Sequence, residues 1–208
     1  MPHNRRRTEA QFLDAARTHL ESSGFAGLGV NAIAEAAGFD KVLIYRYFKN
    51  INGLLERLAE EQGFFPRSDE IIASLPAATG EPRPLAEAVG TLLEAALARA
   101  LAEPLAAALV RWEGATPDNP LIHAWRAARA RCGGELRACC QPVAGESLPA
   151  TAWFEAALAA ALRAAVIDGS QDPAAGLTAS MQTPQVRLRG PRREAPATDS
   201  DELPVELL

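Results

Sequence analysis

The sequence predicts an all-helical chain, and three observations carry that prediction. Alanine, the strongest helix former, supplies 43 of the 208 residues. Aromatic residues make up only 6% of the chain, and β-branched residues are sparse. No apolar Val/Ile runs alternate with helical segments, as a parallel-sheet enzyme would require. The length suits one generous domain or two small ones. No 18-residue charge-free apolar stretch is present, which excludes a membrane-spanning helix. Met1 to Arg7 are polar and charged with no apolar run behind them, so a secretory signal is not expected and a cytoplasmic location is. Three cysteines, without a second Cys/His pair at metal spacing, support neither a disulfide framework nor a metal site. No cofactor is expected.

Thr8 to Gln11 has the form of a capping box, and Phe12, Ala16 and Leu20 then recur at helical spacing until Ser22-Ser23-Gly24. A short second helix is predicted over Val30–Ala37, with Ile33, Ala34 and Ala37 on one face and Gly38 as its stop. Asp40 caps a third through Phe48. A fourth runs from Asn52 to Phe65 and buries Leu54, Leu55 and Leu58. Beyond Pro66 the texture changes to alanine-rich helices separated by proline: Pro84–Ala102, Pro104–Glu113, Asn119/Pro120–Cys140 (weakened by Gly133-Gly134) and Pro149–Ile167. The last is apolar nearly all round, which calls for cover on two sides. Residues 169–208 carry five prolines and no aromatic residue, and read as a disordered tail. The domain reading is therefore 1–60, 61–168 and a tail 169–208.

Charge divides the chain as well. Residues 1–50 hold seven Lys/Arg against five Asp/Glu, whereas the whole chain carries a net −5. Contact with nucleic acid, if made, belongs to the N-terminal end. There the second and third helices, joined by Gly38-Phe39-Asp40, have helix-turn-helix spacing. At 100° per residue, Ile44 and Phe48 lie within about 40° of each other and point inward. Val42 and Arg46 fall opposite, flanked by Lys41, Leu43, Tyr45 and Tyr47. Such a face suits a major groove: Arg46 for guanine or phosphate, Val42 for a thymine methyl, Lys41 and the tyrosine hydroxyls for phosphate oxygens. A flexible Arg5-Arg6-Arg7 arm would reach the backbone or the minor groove.

Gly24-Phe25, Val30 through Gly38, Leu43-Ile44-Tyr45-Arg46-Tyr47-Phe48 and Leu54-Leu55 together resemble the N-terminal domain of TetR-family transcriptional regulators, over about residues 8–60. The resemblance implies a three-helix DNA-binding head, a helical ligand-binding body and a homodimer. It places Lys41, Val42, Leu43, Tyr45 and Tyr47 at the family's DNA-contacting positions. Three positions depart from the family pattern. Gly29 stands where a hydroxyl cap is common, Leu43 where Thr or Ser is common, and Ile51 where a lysine usually starts the fourth helix. Lys49, two residues away, is the replacement cation.

In the body, Arg111, Trp112, His123, Trp125 and Phe154 are the candidate contacts for an unidentified small-molecule effector, with Arg126 as a further polar anchor. Cys132, Cys139 and Cys140 read as small buried hydrophobes rather than a redox switch. No phosphate loop, nucleophile elbow or paired carboxylate stands out, so an enzyme is not expected. The function expected is a ligand-responsive repressor that binds double-stranded DNA as a homodimer on a palindromic operator. The dimer should rest mainly on the 149–167 helix and be weaker than usual for the family. The alternative is a helical small-molecule binder or scaffold whose DNA-binding head is weak or decayed.

Overall fold

A computed structural model describes residues 2–75, 81–143, 147–174 and 185–188. Helices α1 (Pro2–Ser23), α2 (Val30–Ala37), α3 (Val42–Phe48) and α4 (Ile51–Glu61) form the N-terminal part. They are followed by α5 (Ser68–Ser74), α6 (Leu85–Leu101), α7 (Pro104–Trp112), α8 (Pro120–Cys139) and α9 (Thr151–Val166). Among the described residues there are also three short strands: β1 (Arg83–Pro84), β2 (Cys140–Pro142) and β3 (Gln185–Leu188). No described helix is long and apolar enough to cross a membrane.

Punctuation by proline, glycine and asparagine fixes most boundaries where the sequence places them. Pro104 and Pro120 open α7 and α8, where a missing N–H leaves no bond unmade. Asn119 caps α8 by accepting from Leu121 N at 2.9 Å. Gly38 closes α2 at φ 73°, in the left-handed region that glycine tolerates.

Four expectations need correction. The first helix begins at Pro2, not at a Thr8 cap: Thr8 is buried within α1, and its Oγ1 donates to the Asn4 carbonyl at 3.0 Å. Nothing between Pro2 and Thr8 breaks a helix, and Arg5 pairs with Glu9 one turn on, Nε to Oε1 at 2.6 Å. The fourth helix stops at Glu61 rather than Phe65. Gln62 turns extended, which swings Phe64 and Phe65 onto Trp125 of α8 at ring separations of 5.6 and 4.7 Å. Burial of two rings outweighs one more helical turn. Helix α5 was not foreseen; too short to show periodicity, it buries only Ile71.

The fourth correction concerns the tail. Residues 185–188 form the central strand of an antiparallel sheet ordered β1-β3-β2. Arg83 stands opposite Val186 on one side, and Cys140 opposite Leu188 on the other. Val186 and Leu188 are buried while Arg187 between them is exposed, the alternation of a half-buried strand. Four residues are too few for that pattern to stand out in a proline-rich segment. The rest of the predicted tail, 175–184 and 189–208, lies outside the described residues.

The body core is built on close α8–α9 packing. A Cβ on Gly133 would come within 2.8 Å of the Glu155 backbone nitrogen, so glycine here permits contact rather than merely weakening α8. Leu136 of α8 and Phe154, Leu158 and Leu162 of α9 are buried. Glu113, just past α7, is gripped from α8: Arg129 NH1 reaches its two carboxylate oxygens at 2.9 and 2.7 Å, and Arg126 Nε donates at 3.0 Å. Burial acts to raise the Glu113 pKa, but the hydrogen bonds and charges of Arg129 and Arg126 prevail and hold it below the usual carboxylate value. The arginine expected to anchor an effector is thus engaged inside the fold.

If β3 is an integral strand, Leu188→Ala should lower stability by about 2 kcal/mol or more, the range for buried leucine truncation. Urea unfolding of the two full-length chains measures it. An unchanged midpoint and slope would mean that the strand contributes nothing to the folded state.

Candidate nucleic-acid interface

Phe12, on α1 and fully buried, organises the head. Its ring meets Phe39, in the turn, at 5.5 Å and Phe48, at the end of α3, at 6.2 Å edge-on. Aromatic pairs of this kind add about 0.5–1.5 kcal/mol each beyond burial. The turn is closed by Phe39 N bonding to the Ala34 carbonyl at 3.0 Å, and Asp40 Oδ1 accepts from Val42 N at 2.8 Å to start α3.

The faces of α3 fall as its spacing predicts. Ile44 and Phe48 are buried, whereas Val42 is 61% and Tyr45 53% exposed. Lys41, Arg46 and Lys49 are exposed beside them. At 100° per residue Val42, Tyr45, Arg46 and Lys49 share one side of the helix axis. The exposed Val42 isopropyl group is of a kind that can pack against a base-edge methyl. Leu43 and Tyr47 differ from the expected outward set: both are half-buried and pack against the core.

Tyr47 is held by α1. The Arg5 guanidinium lies 5.1 Å from the centre of its ring, with Glu9 fixing Arg5 from the other side. Arg5, Arg6 and Arg7 are exposed but helical, so the flexible arm is corrected to a rigid basic end of α1. Being consecutive in a helix, the three arginines diverge, and Arg5 is the one turned to α3. Arg5 and Arg46 border an open groove of about 730 Å³, with Leu43 and Tyr47 in its wall. On the other side of Tyr47, Lys49, Asn50 and Asn52 border a second open groove of about 520 Å³.

The junction after α3 was only partly legible. Lys49 adopts φ 71°, which costs a non-glycine residue roughly 1–2 kcal/mol. That conformation turns the chain so that Asn50 caps α4, its Oδ1 accepting from Gly53 N at 2.9 Å. Gly53 itself sits against α3: a Cβ there would lie 2.0 Å from the Phe48 carbonyl oxygen. The Asn-x-x-Gly spacing is the sequence signal for this capped, close-packed start.

The five candidate effector contacts are not brought together. Arg111 and His123 are exposed. Trp112 faces the head, edge-on to Phe25 at 6.2 Å. Trp125 is fully buried beneath Phe64 and Phe65, and Phe154 is buried edge-on to Trp153 at 5.1 Å. Cys132, Cys139 and Cys140 are buried, and burial pushes the Cys132 and Cys140 thiols up to about 12, which keeps them protonated. Among the described residues no group of three His, Cys, Asp or Glu is placed to hold a metal ion.

Residues 12–58 match the family model described as bacterial regulatory proteins, tetR family. The match spans the N-terminal head, from within α1 to within α4. The whole fold is similar to that of a candidate TetR family transcription regulator from Shewanella sp. PV-4 (23% identity, 82% of this chain and 93% of that one, TM-score 0.52). Weaker similarity extends to the fatty acid degradation regulator FadR from Bacillus halodurans (19%, 82% and 89%, TM-score 0.47). It extends also to the TetR family repressor AlkX from Dietzia sp. strain DQ12-45-1b (21%, 82% and 90%, TM-score 0.39). No curated protein matches.

The Gly53 contact yields a direct test. Gly53→Ala should displace α3 from α4, lowering the melting temperature and weakening duplex retention together. Circular dichroism melts and fluorescence anisotropy with a labelled duplex measure the two. An alanine variant that matches the parent in both would show that the contact tolerates a methyl group.

Proposed function

We propose that the head, residues 1–60, reads double-stranded DNA through α3 and that two copies bind a palindromic operator. The exposed Val42–Tyr45–Arg46–Lys49 face, standing on buried Ile44 and Phe48, is the observation that carries this reading. Val42 and Arg46 address base edges; Tyr45, Lys41 and Lys49 hold phosphates; Arg5 joins them from α1, with Arg6 and Arg7 adding positive potential nearby. Tyr47 and Leu43 shape the groove rather than fill it.

Dimerisation is proposed to use α9. Its Phe154–Leu158–Leu162 stripe is buried inside the chain, so the opposite side is the one available to a second copy. That side presents exposed Ala152, Ala156 and Ala160, and ends at Ile167, 46% exposed. Small residues let two helices approach closely. The body, residues 61–168, is proposed to bind a small-molecule effector whose binding releases DNA, which makes the protein a repressor.

Selection of bound duplexes from a random pool tests this reading, with variants separating the roles. Tyr45→Phe should weaken binding to every sequence by about 1 kcal/mol, the value of one hydrogen bond. Val42→Ala should change preference at one base pair with little change elsewhere. Equal affinity and equal preference in both variants would remove α3 from the interface.

A further inference from the structure

Between α7 and α8 lies a charged cluster that the regulator reading does not use. Beyond the carboxylate contacts, Arg126 NH2 donates to the Glu113 carbonyl at 3.0 Å and Arg126 NH1 to the Pro117 carbonyl at 3.3 Å. The cluster is partly withdrawn from water: the Arg129 side chain is 11% and that of Glu113 22% exposed. Glu113 directly follows Trp112, whose carbonyl is held in turn by Thr116 Oγ1 at 3.1 Å. Trp112 rests on the end of α1, where a Cβ on Gly24 would lie 1.9 Å from its Nε1. Trp125, next to Arg126 in sequence, carries Phe64 and Phe65 from the end of α4. The head therefore leans on two tryptophans from different helices, and one carboxylate ties those helices together.

We propose that Glu113, with Arg126 and Arg129, is a positioning residue for the DNA-reading head. It locks the end of α7 to α8, so that Trp112 under α1 and Trp125 under the α4 exit move as one support. The head then keeps a single orientation on the body. Without the carboxylate, Arg129 loses its bidentate contact and Arg126 keeps only the two main-chain carbonyls, which leaves the α1 support looser relative to the α4 support. This rests on the reading of the head as the DNA-binding part, yet its structural content is independent of DNA.

The test uses full-length protein with spin labels at exposed Glu35→Cys on α2 and Glu94→Cys on α6, and a control pair within the body at Glu94→Cys and Ala138→Cys. The native thiols are buried and stay unlabelled in the folded chain. Glu113→Gln should broaden the 35–94 distance distribution and leave the 94–138 distribution unchanged. Gly24→Ala, which displaces Trp112 from the other side, should do the same. Both should weaken retention of a duplex recovered by random-pool selection at least five-fold. Should Glu113→Gln fail to fold, Arg126→Lys, which keeps the charge but loses the fork, takes its place. A 35–94 distribution as narrow as the parent's overturns the proposal, as does equal broadening of the 94–138 pair, which would mark general loosening. If the parent retains no duplex, the DNA-binding reading fails and the two distance distributions alone decide the positioning role.

Discussion

The packing of Phe12 against Phe39 and Phe48 is the constraint on which the rest of the head depends. It fixes the turn and the far end of α3 to the same point on α1, so the angle between α2 and α3 is set by three rings rather than by loop length. Truncating a buried phenylalanine costs about 3–5 kcal/mol. Much of a small head's stability therefore resides in the contact that also orients α3. The polar and apolar groups at Val42, Tyr45 and Arg46 need no partner of their own inside the fold; their placement is inherited from the inward side.

Helix α1 carries that arrangement across the molecule. Near its start Arg5 lies over Tyr47, in its middle Phe12 holds α3, and at its end Gly24 receives Trp112 from the body. A rigid helix joining these points makes head orientation a property of the whole chain. Gly24 illustrates how narrow the requirement is. Its φ of 62° favours glycine, and the space a Cβ would occupy is already filled by the indole.

Most of the head was legible in the sequence because its signals are local. Gly38 marks a helix stop, Asp40 a start, and the spacing of Ile44 and Phe48 identifies the inward face. What escaped depended on contacts between distant residues. Thr8 looks like a cap until it is seen that nothing upstream ends the helix. Phe64 and Phe65 extend an apolar pattern, yet Trp125, far along the chain, draws them out of it. Val186 and Leu188 alternate over too short a span to register, and their strand exists only because β1 and β2 offer an edge on each side. The effector candidates failed for a related reason. Aromatic residues mark a core, but only tertiary structure shows that Trp112, Trp125 and Phe154 face three different neighbours.

Amide hydrogen exchange of the full-length chain, with and without a duplex recovered by random-pool selection, tests most directly that the Phe12-based head presents α3 to DNA. Bound duplex should slow exchange across residues 41–53 and in the first turns of α1, with smaller changes in the body. Slowing confined to α5–α9, with residues 41–53 exchanging as they do in the free protein, would contradict it.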